Sequence, residues 1–250
     1  MKKLLLILLA LTLAFSSFSL VSCDKEDGKK FIETLKGKTP EEIYELSRTK
    51  LKDATSYSVT ASQVITMTAN GQTLTMNQSV ISKINGDNSY VKMTNDYTSS
   101  ANMEAWYVDG IVYSSMAGVK AKAEISKEKF MEEYMNTDPS ESTLLDIPES
   151  WFADIKFEAD GKGWALNFVV DGEKWSEVLG NVGLGGTISG NVNYKLHFDD
   201  DGNIEKLTTT FDMTVSGVKA SCVSESIIKI ENVTITPPED ADSYQTVVLP

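Results

Sequence analysis

Two cysteines and one histidine are all that 250 residues offer for thiol, imidazole or soft-metal chemistry. A Ser-His-Asp or Cys-His site would have to use His197, and no Gly-x-Ser-x-Gly elbow accompanies any serine. His197 falls on the polar side of its strand pattern with Asn193 and Lys195, where water is expected to cover it. Asp199, Asp200 and Asp201 cluster oxygens before Gly202-Asn203, but the glutamate that closes an EF-hand loop is missing, so the segment reads as a turn. The glycine-rich stretch from Gly183 to Gly190 has no lysine, which excludes a phosphate loop. Catalytic residues, metal ligands and cofactors are therefore all assigned as none, and no enzyme is expected. A disulfide framework is also out of reach, so any domain must be held by its core.

Positive charge is scarce: 23 Lys and Arg stand against 36 Asp and Glu, a formal net charge of −13. An acidic surface disfavours nucleic acid and is repelled by anionic headgroups. Long apolar runs are scarce too, with one exception at the start. Lys2 and Lys3 precede a nearly unbroken run from Leu4 to Phe15, after which Ser16, Ser17, Ser19 and Ser22 intrude. Roughly 20 apolar residues are needed to span a bilayer, so this run is expected to be a cleaved secretion signal. Leu20-Val21-Ser22-Cys23 resembles the lipobox of bacterial lipoproteins, in which the cysteine thiol accepts a diacylglyceryl group and cleavage falls just before it.

Residues 1–22 are accordingly expected to be a lipoprotein signal peptide, and Cys23 the lipidated residue. Loss of Lys2 and Lys3 takes the net charge from −13 to −15. The chain would lie on the extracytoplasmic face of the cell membrane, held there by its N-terminal lipid, since each buried methylene contributes about 0.8 kcal/mol. Cys222 is then left without an intramolecular partner.

Residues 23–38 are mostly charged and suit a tether. Thr39-Pro40-Glu41-Glu42 is a helix start, with Thr39 as cap, Pro40 in the first turn and Glu42 closing a capping box, and predicts an amphipathic helix over 40–52. From Ser56 the period changes to two. Tyr57, Val59, Ala61, Ile65 and Met67 alternate with polar residues, and turn signals at Asn70-Gly71, Asn85-Gly86 and Asp109-Gly110 separate successive runs as far as Ser115. Helical spacing returns around Phe130, Met131 and Tyr134, near Trp151, and after Asp171 with Trp175. Strand patterns resume over 155–170, 192–198, 204–215 and 219–235, and the tail beyond Pro237-Pro238 reads as a loop. No repeat of 20–50 residues recurs, which excludes a solenoid or propeller. Residues 39–250 are expected to form a single domain, and the chain to act as a monomer.

This order of elements resembles the LolA-like half-barrels, particularly the lipid-carrying lipoproteins of the LprG and LppX type. The segments that carry the likeness are Leu51-Lys-Asp-Ala-Thr-Ser-Tyr57, Trp106-Tyr-Val-Asp-Gly-Ile-Val-Tyr113 and Val233-Thr-Ile-Thr-Pro237-Pro-Glu-Asp-Ala241, within a span of about 39–245. The resemblance implies an α+β fold in which a strongly curved antiparallel sheet, a half-barrel meander, holds inserted helices on its concave side. It further implies an apolar cavity for a lipid or other lipophilic ligand, and brings no catalytic residues with it.

From alternation, the ligand-binding candidates are Met67, Met76, Met93 and Met213 on strands, with Phe130, Met131, Tyr134, Trp151 and Trp175 on the inserted helices. Methionine adapts to irregular apolar partners, although a packed core uses the same residues. Two functions remain open at this point: carriage of a lipophilic ligand, or a filled domain whose surface meets a protein or cell-wall partner.

Overall fold

Reciprocal capping starts the first helix as its residue types dictate. Glu42 N–H donates to Thr39 Oγ1 at 3.3 Å, and Thr39 N–H donates to Glu42 Oε2 at 2.8 Å, so two backbone donors at the helix start are satisfied. Helix α1 runs Pro40–Lys52, the predicted span, and buries Ile43, Tyr44 and Ser47. The computed structural model describes residues 33–247 except 34, 36, 53, 70, 98–101, 131–146, 162, 182–185, 200–203 and 216. Residues 1–22 and Cys23 lie outside that description. Leu35, expected to lie in the tether, is fully buried in the same core as α1. In the sequence Leu35 stands at helical spacing from Phe31 and Ile32, a pattern too short among the surrounding charges to mark a buried element.

Two antiparallel meanders follow. The first comprises β1 (Ser56–Ala69), β2 (Gln72–Asn85), β3 (Asn88–Asn95), β4 (Met103–Val108), β5 (Ile111–Met116) and β6 (Val119–Glu124). The second comprises β7 (Phe152–Asp160), β8 (Gly163–Asp171), β9 (Gly186–Phe198), β10 (Ile204–Val215) and β11 (Val218–Lys229). Short helix α2 (Lys127–Phe130) and a 3-10 turn at Glu149–Trp151 stand between them, and α3 (Gly172–Asn181) is inserted after β8. Asp171 caps α3 through its Oδ1, which accepts from Glu173 N–H at 2.9 Å.

Strand β6 was not apparent in the sequence because its inward positions are the small Ala121 and Ala123 between Lys120, Lys122 and Glu124. The β5–β6 turn repeats the geometry of the Asp109-Gly110 turn, with positive φ at both central residues, but places Ala117 at φ 51° beside Gly118. A Cβ in the left-handed region costs roughly 1–2 kcal/mol. Ala117→Gly is therefore expected to stabilise the fold by about 1 kcal/mol, visible as a rise in melting temperature of roughly 2–4 °C.

The two meanders join through their longest members: β1 pairs with β11 over Ser58↔Lys229 to Thr68↔Lys219. The resulting order is β12-β6-β5-β4-β3-β2-β1-β11-β10-β9-β8-β7 in one open sheet, where β12 (Gln245–Thr246) is the single parallel addition, on β6. Right-handed strand twist accumulated over so many strands coils a sheet, and irregularities at Thr210/Asp212 and Phe152/Asp154 add bending. The architecture is the expected α+β half-barrel.

The three helices among the described residues pack on one face. Tyr44 of α1 meets Phe168 of β8 edge-on at 5.4 Å, Phe130 of α2 stacks on Tyr107 of β4 at 5.1 Å, and Trp175 of α3 packs against the main core. The opposite face is crossed by the chain after β11. The strand expected over 219–235 stops at Lys229, because Ser56 draws the backbone away: Ser56 Oγ donates to Glu231 O and accepts from Val233 N–H, both at 3.0 Å. Val233 and Ile235 then pack on Val108, Tyr90 and Trp106. Tyr244 sits edge-on to Trp106 and Tyr113, and Val247 N–H donates to Lys122 O at 2.9 Å. The tail expected to be a loop is thus a strap that covers β3–β6 and closes the β6 edge, which would otherwise be an exposed template for pairing.

Candidate functional site

Side chains directly opposite one another on antiparallel strands point to the same face, so the register defines the inner surface row by row. One row runs unbroken across eight strands: Leu207, Ser226, Ala61, Val80, Met93, Met103, Met116 and Val119, from β10 to β6. The row is buried from β10 to β3 and becomes exposed from β4 to β6. Met93 is 2% exposed, Met103 is half-buried, and Met116 and Val119 are 56% and 69% exposed. Three successive methionines therefore form a ramp from solvent to core, built from the side chain that best adapts to irregular apolar shapes.

An open cleft of about 530 Å³ lies at the ends of β3, β4 and β5, lined by Met93, Met103, Lys92, Glu104, Asn102 and Ala117 among others. Its polar wall is self-paired. Lys92 Nζ lies 3.6 Å from Glu104 Oε1, and Tyr90 OH donates to the same oxygen at 2.7 Å. Burial, then the bond to Glu104 and its charge, push the Tyr90 phenol well above its ordinary range, so it stays a donor. Lys92 and Glu104 face outward and Met93 and Met103, the next register pair, face inward, so the charged pair and the methionines lie on opposite sides of the sheet. Among the described residues no cluster of His, Cys, Asp and Glu could hold a metal, and no helix is long and apolar enough to cross a membrane.

The sequence-derived candidates fall into two groups rather than one. Met67, Met76 and Met213 lie in the main core, with Trp151 and Trp175 packed on its margin 6.0 Å apart and nearly perpendicular. Met93 and Phe130 lie in a second core beneath β2–β6. Met131 and Tyr134 are outside the described residues. Sequence reasoning missed Met103 and Met116, both of which sit at alternating positions legible once β4 and β5 are paired. It also passed over Gln63 and Gln78, which occupy inward positions between Ala61 and Ile65 and between Met76 and Val80.

Cys222 and His197 are both more enclosed than a reactive group would be. Burial pushes the Cys222 thiol up to about 12, and Gln63 Nε2 donates to its sulfur at 3.0 Å. His197, expected to be solvated, is largely covered and pairs through Nδ1 with Asp160 Oδ2 at 2.8 Å, while Lys195 reaches the same carboxylate at 3.1 Å. Burial first, then Lys206 and Lys195, hold the imidazole below its usual range. The native protein is expected to leave Cys222 unlabelled by thiol reagents at pH 8 and to expose it on unfolding. Because the folded state holds the proton up to about 12 against an ordinary value of 9.0, this group's contribution is present below pH 9 and lost as pH rises toward 12.

Fold and inner surface together define a class: an open α+β half-barrel with helices on its inner face and an apolar ramp leading in from one edge. The chain belongs to the family of unknown function DUF6612, whose model matches residues 39–217. Among solved structures it is similar to LprF from Mycobacterium bovis, at 13% identity and a TM-score of 0.40 over 80% of this chain and 96% of that one. It is also similar to the lipoprotein LppX from Mycobacterium tuberculosis, at 9% identity and a TM-score of 0.41 over 79% and 100%. A LolA superfamily protein from Nitrosomonas europaea matches at 13% identity and a TM-score of 0.26 over 79% and 96%. No curated protein matches the chain.

Proposed function

We propose that this protein is a lipoprotein, anchored through Cys23 on the extracytoplasmic face of the membrane, that binds a lipophilic ligand between its sheet and helices. The observation that carries this reading is the row Val119-Met116-Met103-Met93, which descends from solvent into the inner face. A folded acidic domain gains nothing from exposing adjacent large apolar side chains unless something apolar passes over them. An acyl chain entering over Met116 and Met103 would reach Met93, and beyond it the inward faces of β2 and β1. No catalytic role belongs to this reading.

Native mass spectrometry of the purified protein and displacement of a fluorescent fatty acid test the proposal. Copurified lipid or saturable displacement is expected, and the absence of both would end it. Met103→Glu is expected to weaken probe binding by roughly tenfold or more, since a carboxylate would have to be desolvated on the path. Val64→Glu, on the outer face, should leave binding unchanged. A second reading draws on Val64, Val223 and Ile227, exposed on that outer face with Val64 opposite Val223: a filled domain that meets an envelope partner there. Under that reading Val64→Glu would disrupt function and Met103→Glu would not.

A further inference from the structure

The inner face carries a buried polar line where an apolar core would be expected. Thr209, Ser224, Gln63 and Gln78 stand directly opposite one another on β10, β11, β1 and β2. All four are buried, Gln63 and Gln78 to well over nine-tenths. The row on one side is apolar, Phe211, Cys222, Ile65 and Met76, and the row on the other is apolar except for Ser226, with Leu207, Ala61, Val80 and Met93 as its other members. The line is not satisfied internally. Gln63 Oε1 and Gln78 Nε2 have no hydrogen-bond partner, and neither do Ser82 Oγ and Ser89 Oγ, inward on β2 and β3.

A buried donor or acceptor left unpaired is destabilising by about 1–3 kcal/mol, and Gln63 Oε1 and Gln78 Nε2, carried by directly opposed residues, favour a polar group able to meet both. Two features fix the chemistry of that group. No inward position of β10, β11, β1 or β2 is charged, so a charged group would be desolvated without a counter-ion. The unpartnered set includes both an amide donor and an amide acceptor, so the visiting group must offer an acceptor and a donor.

We infer that the Thr209-Ser224-Gln63-Gln78 line seats the uncharged polar junction of an acyl lipid, one that carries both an ester carbonyl and a hydroxyl, with its chains lying along the apolar rows. This rests on the lipid-binding reading above and names the part of the ligand that the interior selects. Gln78 Nε2 would donate to the carbonyl, and Gln63 Oε1 would accept from the hydroxyl.

The test uses the full-length anchored protein at a fixed concentration of nonionic detergent, and reads displacement of a fluorescent fatty acid. The competitors are dioctanoylglycerol and a branched hydrocarbon of equal carbon number. Wild type is expected to prefer dioctanoylglycerol by about tenfold. In Gln63→Met/Gln78→Met, which nearly conserves volume and removes the amides, the preference should fall to near parity with hydrocarbon affinity unchanged. Should the double variant fail to melt cooperatively, Gln78→Met alone is expected to lower the preference about threefold. A preference absent from wild type, or unmoved by the substitutions, overturns this inference and leaves lipid binding standing. Displacement by neither competitor overturns the lipid-binding reading, and this inference with it.

Discussion

Phe168→Ala is expected to destabilise the protein by about 4 kcal/mol, within the roughly 3–5 kcal/mol that truncating a buried phenylalanine costs. Phe168 is completely buried on β8 and is the hub of an aromatic cluster. Its ring stacks on Tyr194 of β9 with centroids 4.8 Å apart, meets Tyr44 of α1 edge-on at 5.4 Å, and is tilted against Phe152 at 5.5 Å. Aromatic pairs contribute about 0.5–1.5 kcal/mol beyond the area they bury, and this substitution removes three of them. The neighbours come from a helix and from strands at the far end of the sheet, so they cannot all relax into the void. Urea denaturation should show a lower midpoint with little change in slope, and melting should fall by roughly 8–16 °C.

Tyr44→Phe is expected to cost about 3 kcal/mol, although it removes a single oxygen. The Tyr44 hydroxyl donates to Ile147 O at 3.0 Å and accepts from Ile147 N–H at 3.1 Å, with both residues buried. Phenylalanine would keep the ring contacts and strand a buried donor and a buried acceptor, each costing about 1–3 kcal/mol. The loss is also directional. Tyr44 ties α1 to the chain that leads into β7, so amide exchange at Ile147 should accelerate more than exchange at Phe168. Equal acceleration at both sites would mean that the hydroxyl supports global stability alone.

Ser56 plays the same part for the strap, receiving Val233 N–H and reaching Glu231 O. Nothing in the sequence distinguishes Tyr44 or Ser56 from other tyrosines and serines in comparable patterns. Each matters because a distant backbone group arrives beside it, across 103 residues for Tyr44 and 175 or more for Ser56. The methionine ramp was half legible in the same sense. Met93 stood out by alternation, whereas Met103 and Met116 became its neighbours only when β3, β4 and β5 were placed in register.

Local chemistry determined much of the fold without help. The Thr39 to Glu42 capping box, the Asp171 cap and the Asp109-Gly110 turn all form as their residue types require, because each depends on atoms a few residues apart. Period-two alternation assigned the inward faces of the long strands for the same reason, since neighbouring side chains must point to opposite sides. What alternation cannot state is which strand lies beside which. The pairing of β1 with β11 makes one sheet of two meanders, lines up Gln78, Gln63, Ser224 and Thr209, and sends the chain after Lys229 across the outer face. That choice belongs to tertiary structure alone: it depends on burying faces more than 150 residues apart, and no short-range preference encodes it.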